Sequence, residues 1–120
     1  MVKFSTIIPS QMVDEITGKE SKKLEKGMVL IVESIKFGTF NFQGNQVEKV
    51  QMYTTNGEVY TTSGRAIINQ CETLISAIDD GRVDTMSYRK DNYDRVVFGE
   101  PLELSLVEKK GKAGKYLCIE

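Results

Sequence analysis

Gln51-Met-Tyr-Thr-Thr-Asn-Gly-Glu-Val-Tyr-Thr-Thr62 decides how this chain is read, because two runs of strand-forming residues meet there at one turn dipeptide. Asn56-Gly57 is the strongest short hairpin signal, since a two-residue type I′ turn needs positive φ at both central residues. With those two as the loop, Thr55 faces Glu58, Thr54 faces Val59 and Tyr53 faces Tyr60. Alternation then puts Val50, Met52 and Val59 toward a core and Lys49, Gln51, Tyr53 and Tyr60 on the opposite side. The expectation is an open sheet face that carries a tyrosine pair.

Upstream, Met28-Val-Leu-Ile-Val-Glu-Ser-Ile-Lys-Phe37 follows Gly27 as a β-branched apolar run and reads as a strand, part of it buried on both faces. Gly38 and Gly44 bracket a bend or hairpin, with Phe37, Phe40 and Phe42 near its tip. Further upstream, Ser10 caps a short predicted helix through Met12, Val13 and Ile16 that Gly18 ends, and Lys19–Gly27 is a solvated polar link. Downstream, Ser63 caps a predicted helix whose stripe is Ile67, Cys71, Leu74, Ile75 and Ile78, closed by Gly81. Asp79 and Asp80 stand at the unfavourable end of its dipole and are expected to be solvated. Leu102, Leu104 and Leu106 then alternate with polar residues as in a half-buried strand. A basic turn reverses the chain into a last strand, Lys115-Tyr-Leu-Cys-Ile-Glu120.

The 120 residues suit a single domain, with 1–26 as helix and link and 27–120 as the folded body. Hydrophobic content of 40% and charged content of 28% are ordinary for a soluble protein. No apolar run approaches membrane-spanning length and no signal core follows Met1, so a cytoplasmic location is expected. There is no histidine, and the two cysteines, Cys71 and Cys118, stand far apart outside any metal-ligand spacing. That argues against a zinc site, a Cys–His nucleophile and a histidine base. Both cysteines read as small core side chains, and no metal or other cofactor is expected. No nucleotide loop or nucleophile–base pairing occurs, so an enzyme is the weakest class.

The order is thus a short helix, three strands, one helix and two strands, mainly β. Five short antiparallel strands with a helix between the third and fourth is the order of an OB barrel, with an open sandwich as the alternative. The blocks "GKESKKLEKG…LIVESIKFGTFN", "GEVYTTSGRAI" and "LELSLVEKKGKAGKYLCIE" together resemble compact OB-fold single-stranded DNA-binding proteins of phages, other mobile elements and some prokaryotes. The resemblance runs from about Ile16 to Glu120 as a diffuse pattern. It implies a protein of replication or recombination that coats single strands without sequence preference. Such a protein works in the cytoplasm (the host's, if phage-encoded) and as a homodimer or higher oligomer. The housekeeping bacterial proteins of this kind recruit replication or recombination partners through an acidic tail. The chain stops at its predicted last strand, so tail-mediated recruitment is not expected.

A sequence-tolerant binder of single strands needs flat rings for bases and mobile cations for phosphates. Tyr53 and Tyr60, beside Lys49 and Gln51, are the first candidates, against a packing role or a dimer face. Phe37, Phe40 and Phe42 form a possible stacking finger, with Lys36 as phosphate partner and at least one ring expected in the core. Tyr88, Arg89, Lys90, Tyr93 and Arg95 interleave rings and cations, diluted by Asp91 and Asp94, in a segment from 84 to 98 that is longer than the pattern calls for. Lys109, Lys110, Lys112 and Lys115 with Tyr116 make the basic turn of the final hairpin, whose alternative role is a soluble, edge-protecting turn. The net charge of −1 weakens the nucleic-acid reading. It favours the rival, a protein–protein module of a phage or mobile-element assembly. RNA binding on the same fold is third.

Overall fold

The apolar run after Gly27 becomes the central strand of one curled, open sheet. In the computed structural model, which describes residues 14–120, the strands are β1 (Ser21–Lys22), β2 (Val29–Phe42), β3 (Asn45–Thr54) and β4 (Val59–Thr62), then β5 (Tyr88–Lys90), β6 (Val96–Gly111) and β7 (Gly114–Ile119). A single described helix, α1 (Arg65–Asp79), joins β4 to β5. The sheet order is β1-β4-β3-β2-β6-β5, with β7 on the far half of β6. Every ladder is antiparallel except β1 with β4. Among the described residues no ladder joins β1 to β5, so the sheet has two ends, in the manner of a half-barrel.

β2 curls because its register shifts between Val32 and Ser34 on both of its ladders. An extra residue there, Glu33, bends the strand and raises its twist. Beyond the last rungs of β2 with β6 at Ile35 and of β3 with β4 at Val50, β2 and β3 continue as a two-stranded arm to Phe42 opposite Asn45. Gln43 and Gly44 close it with φ of 51° and 81°, the paired positive φ of a type I′ turn. With this arm the Cα radius of gyration is 15.3 Å. A compact chain of this length has about 13–14 Å.

One face of the sheet packs on α1. Val32, Ile35, Val50, Met52 and Tyr60 meet Ile67, Ile68 and Cys71, with Val96, Phe98, Leu104 and Leu106 completing the cluster. Each such side chain contributes about 1.5–3 kcal/mol when fully removed from water. The helical stripe is the expected one with Ile68 added. The cap differs: it is Gly64, extended at φ −60° and ψ 121°, with no side-chain hydrogen bond. The Thr62 hydroxyl takes the Gly64 N–H instead, at 3.0 Å. At the other end Gly81 has φ 73° and its N–H reaches Ile78 O at 3.1 Å. Asp79 and Asp80 are exposed as expected, and Asp79 also accepts the Tyr88 hydroxyl.

Among the described residues seven strands stand where five were expected. The polar link supplies β1, whose two residues pair with Val59 and Tyr60. The 84–98 segment supplies β5 and the start of β6. β6 passes through Pro101, where its pairing with β2 is interrupted between Val97 and Leu102. A residue without an N–H is tolerated at such a gap. The predicted N-terminal helix from Ser10 lies mostly outside the described residues. Within them, residues 15–17 form a turn closed by Gly18 N–H to Asp14 O at 2.8 Å. Both cysteines are buried and unbridged, and burial pushes the Cys71 thiol up to about 12. No described helix is long and apolar enough to cross a membrane.

Candidate nucleic-acid interface

The hairpin quoted at the outset is one residue out of the expected register. Tyr53 pairs with Val59 and Met52 with Tyr60. The loop is Thr55-Asn56-Gly57, with Gly57 N–H to Thr54 O at 3.1 Å and Thr54 N–H to Glu58 O at 2.9 Å. Gly57 takes φ 82°, while Asn56 stays out of the positive region. The Thr54 hydroxyl holds this longer loop by bonding Asn56 Oδ1 and accepting the Glu58 N–H at 3.0 Å.

The slip separates the two tyrosines. Directly opposed residues share a face, so Tyr60 joins Met52 in the core and is 6% exposed. Its hydroxyl donates to Glu58 Oε2 at 2.6 Å, and Glu58 is paired to Lys22 at 2.8 Å. The Glu58 hydrogen bond and burial together push the Tyr60 phenol up to about 12.

Tyr53 lies on the other face, as expected, but is only 3% exposed. Its hydroxyl and the Gln51 side-chain amide both donate to Asp14 Oδ1 at 2.7 Å. The second carboxylate oxygen accepts from Thr17 N–H at 2.7 Å and the Thr17 hydroxyl at 2.8 Å. Burial raises the Asp14 pKa, but the Thr17 and Tyr53 hydrogen bonds outweigh it and hold the carboxyl below its ordinary value. Burial and the same bond raise Tyr53 well above the usual phenol range. The Arg95 guanidinium covers the Tyr53 ring at 4.9 Å from its centroid. Tyr53, Tyr60 and Gln51 are therefore not available as an open surface, a correction that follows from the register and from Asp14.

Other candidates remain on that face. Counting outward from Tyr53 opposite Ser34, the same side carries Lys36 with Gln51, Gly38 with Lys49, Phe40 with Val47 and Phe42 with Asn45. None of these residues is itself acidic, and the Asp14 carboxylate on the same side is bonded to Gln51 and Tyr53. Glu48, on the reverse side of the arm, is paired with Arg65 at 3.0 Å. Phe42 is 53% exposed, while Phe40, Lys36 and Lys49 are half-buried. The Lys49 stem crosses Gly38, its Cε 3.5 Å from where a Cβ would stand. Phe37 points the other way and packs against the core, the one ring of the three expected there. Arg89 joins the open face through Val97, which pairs with Ser34, and it is exposed.

The 88–95 segment is mostly engaged in its own contacts. Arg95 is paired with Asp91 at 2.7 Å and lies between the Tyr53 and Tyr93 rings, the second at 5.5 Å. Tyr93 is 56% exposed. Lys90 reaches Asp94 at 3.6 Å, and Tyr88 is half-buried with its hydroxyl on Asp79. Lys109, Lys110, Lys112 and Lys115 are exposed on the β6–β7 hairpin. Lys115 lies 3.6 Å from Glu108, and Tyr116, opposite Lys109, is half-exposed. This hairpin has its own ladder, separate from the β2–β3 arm.

Sequence reasoning passed over Lys22 and Lys23. They line a depression of about 160 Å³ together with Ser21, Phe40, Lys49, Thr61, Thr62 and Ser63. The signal was the Ser21-Lys22-Lys23 run, read as solvent-exposed link. Among the described residues no group of three or more Asp, Glu or Cys side chains is arranged to hold a metal ion. No family model matches the chain, and comparisons with curated proteins and with solved structures found no significant match.

Proposed function

We propose that this chain binds single-stranded DNA without sequence preference, as a cytoplasmic accessory of replication or recombination. The observation that carries the reading is the side of the β2–β3 ladder where Lys36, Phe40, Phe42 and Lys49 stand together, with the Asp14 carboxylate on that side taken up by Gln51, Tyr53 and Thr17. A single strand offers base faces and one charge per nucleotide, and rings spaced among lysines match both. Arg89 extends the cationic row across β6, and Tyr93 adds a ring at its margin. In this reading β2, β3, β4, β6 and β7 are the five strands of an OB-type half-barrel, with α1 between the third and fourth. β1 and β5 are additions. The net charge of −1 is compatible with binding because Lys36, Lys49 and Arg89 share one face whatever the overall sum. No catalytic step and no cofactor enter the reading. A homodimer would double the sites and raise affinity through effective concentration.

Fluorescence anisotropy with labelled oligo-dT, the matched duplex and a matched RNA tests it. The reading expects preference for the single strand, weak base discrimination and affinity that falls steeply with salt. Equal binding of duplex, or none at low salt, would overturn it.

The second reading, a protein-interaction module, is favoured by one observation. An apolar groove of about 590 Å³ runs beside α1, lined by Leu74, Ala77, Phe98, Leu102, Leu104 and Ile119. That reading expects no oligonucleotide binding under any salt condition.

A further inference from the structure

The depression lies where the β2–β3 arm, through Phe40 and Lys49, meets the edge formed by β1 and β4. Its lining residues include three lysines, an aromatic wall and hydroxyls, and no acid. Lys22 is occupied by Glu58 at 2.8 Å. No described carboxylate lies within salt-bridge distance of Lys23 or Lys49. Two of the hydroxyls, Ser21 and Thr61, bond each other, and Thr62 takes the Gly64 N–H. Ser63 is the hydroxyl with no hydrogen-bond partner among the described residues. The volume of about 160 Å³ has room for roughly five waters, at about 30 Å³ each. Pockets for drug-sized ligands and cofactors run to about 300–1,000 Å³, so the space suits one small anionic group.

We propose that this depression seats one backbone phosphodiester of a single strand. Lys23 and Lys49 supply the charge, Ser63 a hydrogen bond, and Phe40 the wall on which the neighbouring base rests. The inference rests on the single-strand reading and adds a direction to it. The strand passes from Phe42 at the arm's tip, along Phe40 and Lys49, and leaves the sheet over β1, away from the β6–β7 hairpin. Lysine suits this seat because an ammonium acts as a point charge that tolerates the varied angles of a flexible backbone. Lys49 is already laid across Gly38, so less of its freedom is lost on binding.

The test is the salt dependence of oligo-dT affinity for the full chain, Lys23→Ala/Lys49→Ala, Ser63→Ala, and Lys110→Ala/Lys112→Ala, each checked for folding by circular dichroism. The pocket double variant is expected to flatten the logarithmic slope by about 0.7, one phosphate's share on a single strand. The hairpin double variant is expected to change it less, and Ser63→Ala to weaken binding without changing the slope. If the full chain binds oligo-dT and the pocket variants match it in slope and affinity, the seat is wrong while the single-strand reading stands. If the full chain binds no oligonucleotide at low salt, both fall together.

Discussion

The Tyr53 hydroxyl donates to Asp14 Oδ1 at 2.7 Å, which fastens the middle of the sheet to a turn far upstream in the chain. That bond turns the most suggestive ring in the sequence into a structural one. Tyr53→Ala should cost stability on the scale of a buried aromatic truncation, about 3–5 kcal/mol. Tyr53→Phe should cost about 1–3 kcal/mol, the scale of a bond to a charged acceptor. Urea denaturation checks both. Oligo-dT affinity of the folded Tyr53→Phe protein should match that of the parent.

Asp14 gives the protein an acid limb. Its folded pKa is depressed, so the stability it adds is fully present above the ordinary carboxylate range near pH 4. That contribution is lost as the pH falls through the folded value. Asp14→Asn should lower stability at neutral pH, because an amide nitrogen cannot accept from Thr17. It should also flatten the loss below pH 4. Thermal melts from pH 2 to 7 measure the difference between the two curves.

The exposed rings should behave in the opposite way. Phe42→Ala removes a half-exposed side chain at the arm's tip and should leave the melting temperature nearly unchanged. Loss of one stacked base should weaken oligo-dT binding by about 1–3 kcal/mol. Phe40→Ala should show the same binding loss with a larger stability cost, since that ring is half-buried.

How much of this was legible varies with the range of the physics involved. The strand after Gly27 and the α1 stripe were readable because local apolar periodicity reports burial directly. The hairpin at Asn56-Gly57 was readable as a turn but not in register. Its loop length was set by the Thr54 hydroxyl, which competes for Asn56 and the Glu58 N–H. The type I′ turn formed instead at Gln43-Gly44, a dipeptide with a weaker signal. β1 and β5 were missed because strands of two or three residues carry no period. Nor could any local pattern have indicated that Asp14 would close over Tyr53 and Gln51.

The same register makes Gly57 a sensitive position. Its φ of 82° strains any residue with a Cβ, and that Cβ would meet Lys19 Nζ at 3.0 Å. Gly57→Ala should destabilise the protein by more than about 1 kcal/mol. Asn56→Ala should cost less, because Asn56 is not in the positive region and loses its side-chain bond to the Thr54 hydroxyl, which keeps Glu58 as a partner. If the two substitutions cost the same in urea denaturation, the three-residue loop is wrong.

The central claim is that the side of the β2–β3 ladder carrying Lys36, Phe40, Phe42 and Lys49 is a surface for unpaired nucleotides. The most direct measurement is the anisotropy of labelled oligo-dT titrated with the parent protein and with Lys36→Ala/Lys49→Ala at several salt concentrations. The account predicts binding that weakens steeply with salt, and a slope shallower in the variant by between about 0.7 and 1.4, one phosphate's share for Lys36 and part of a second for Lys49, which shares its phosphate with Lys23. An identical slope in the two proteins, with affinity unchanged, would contradict it.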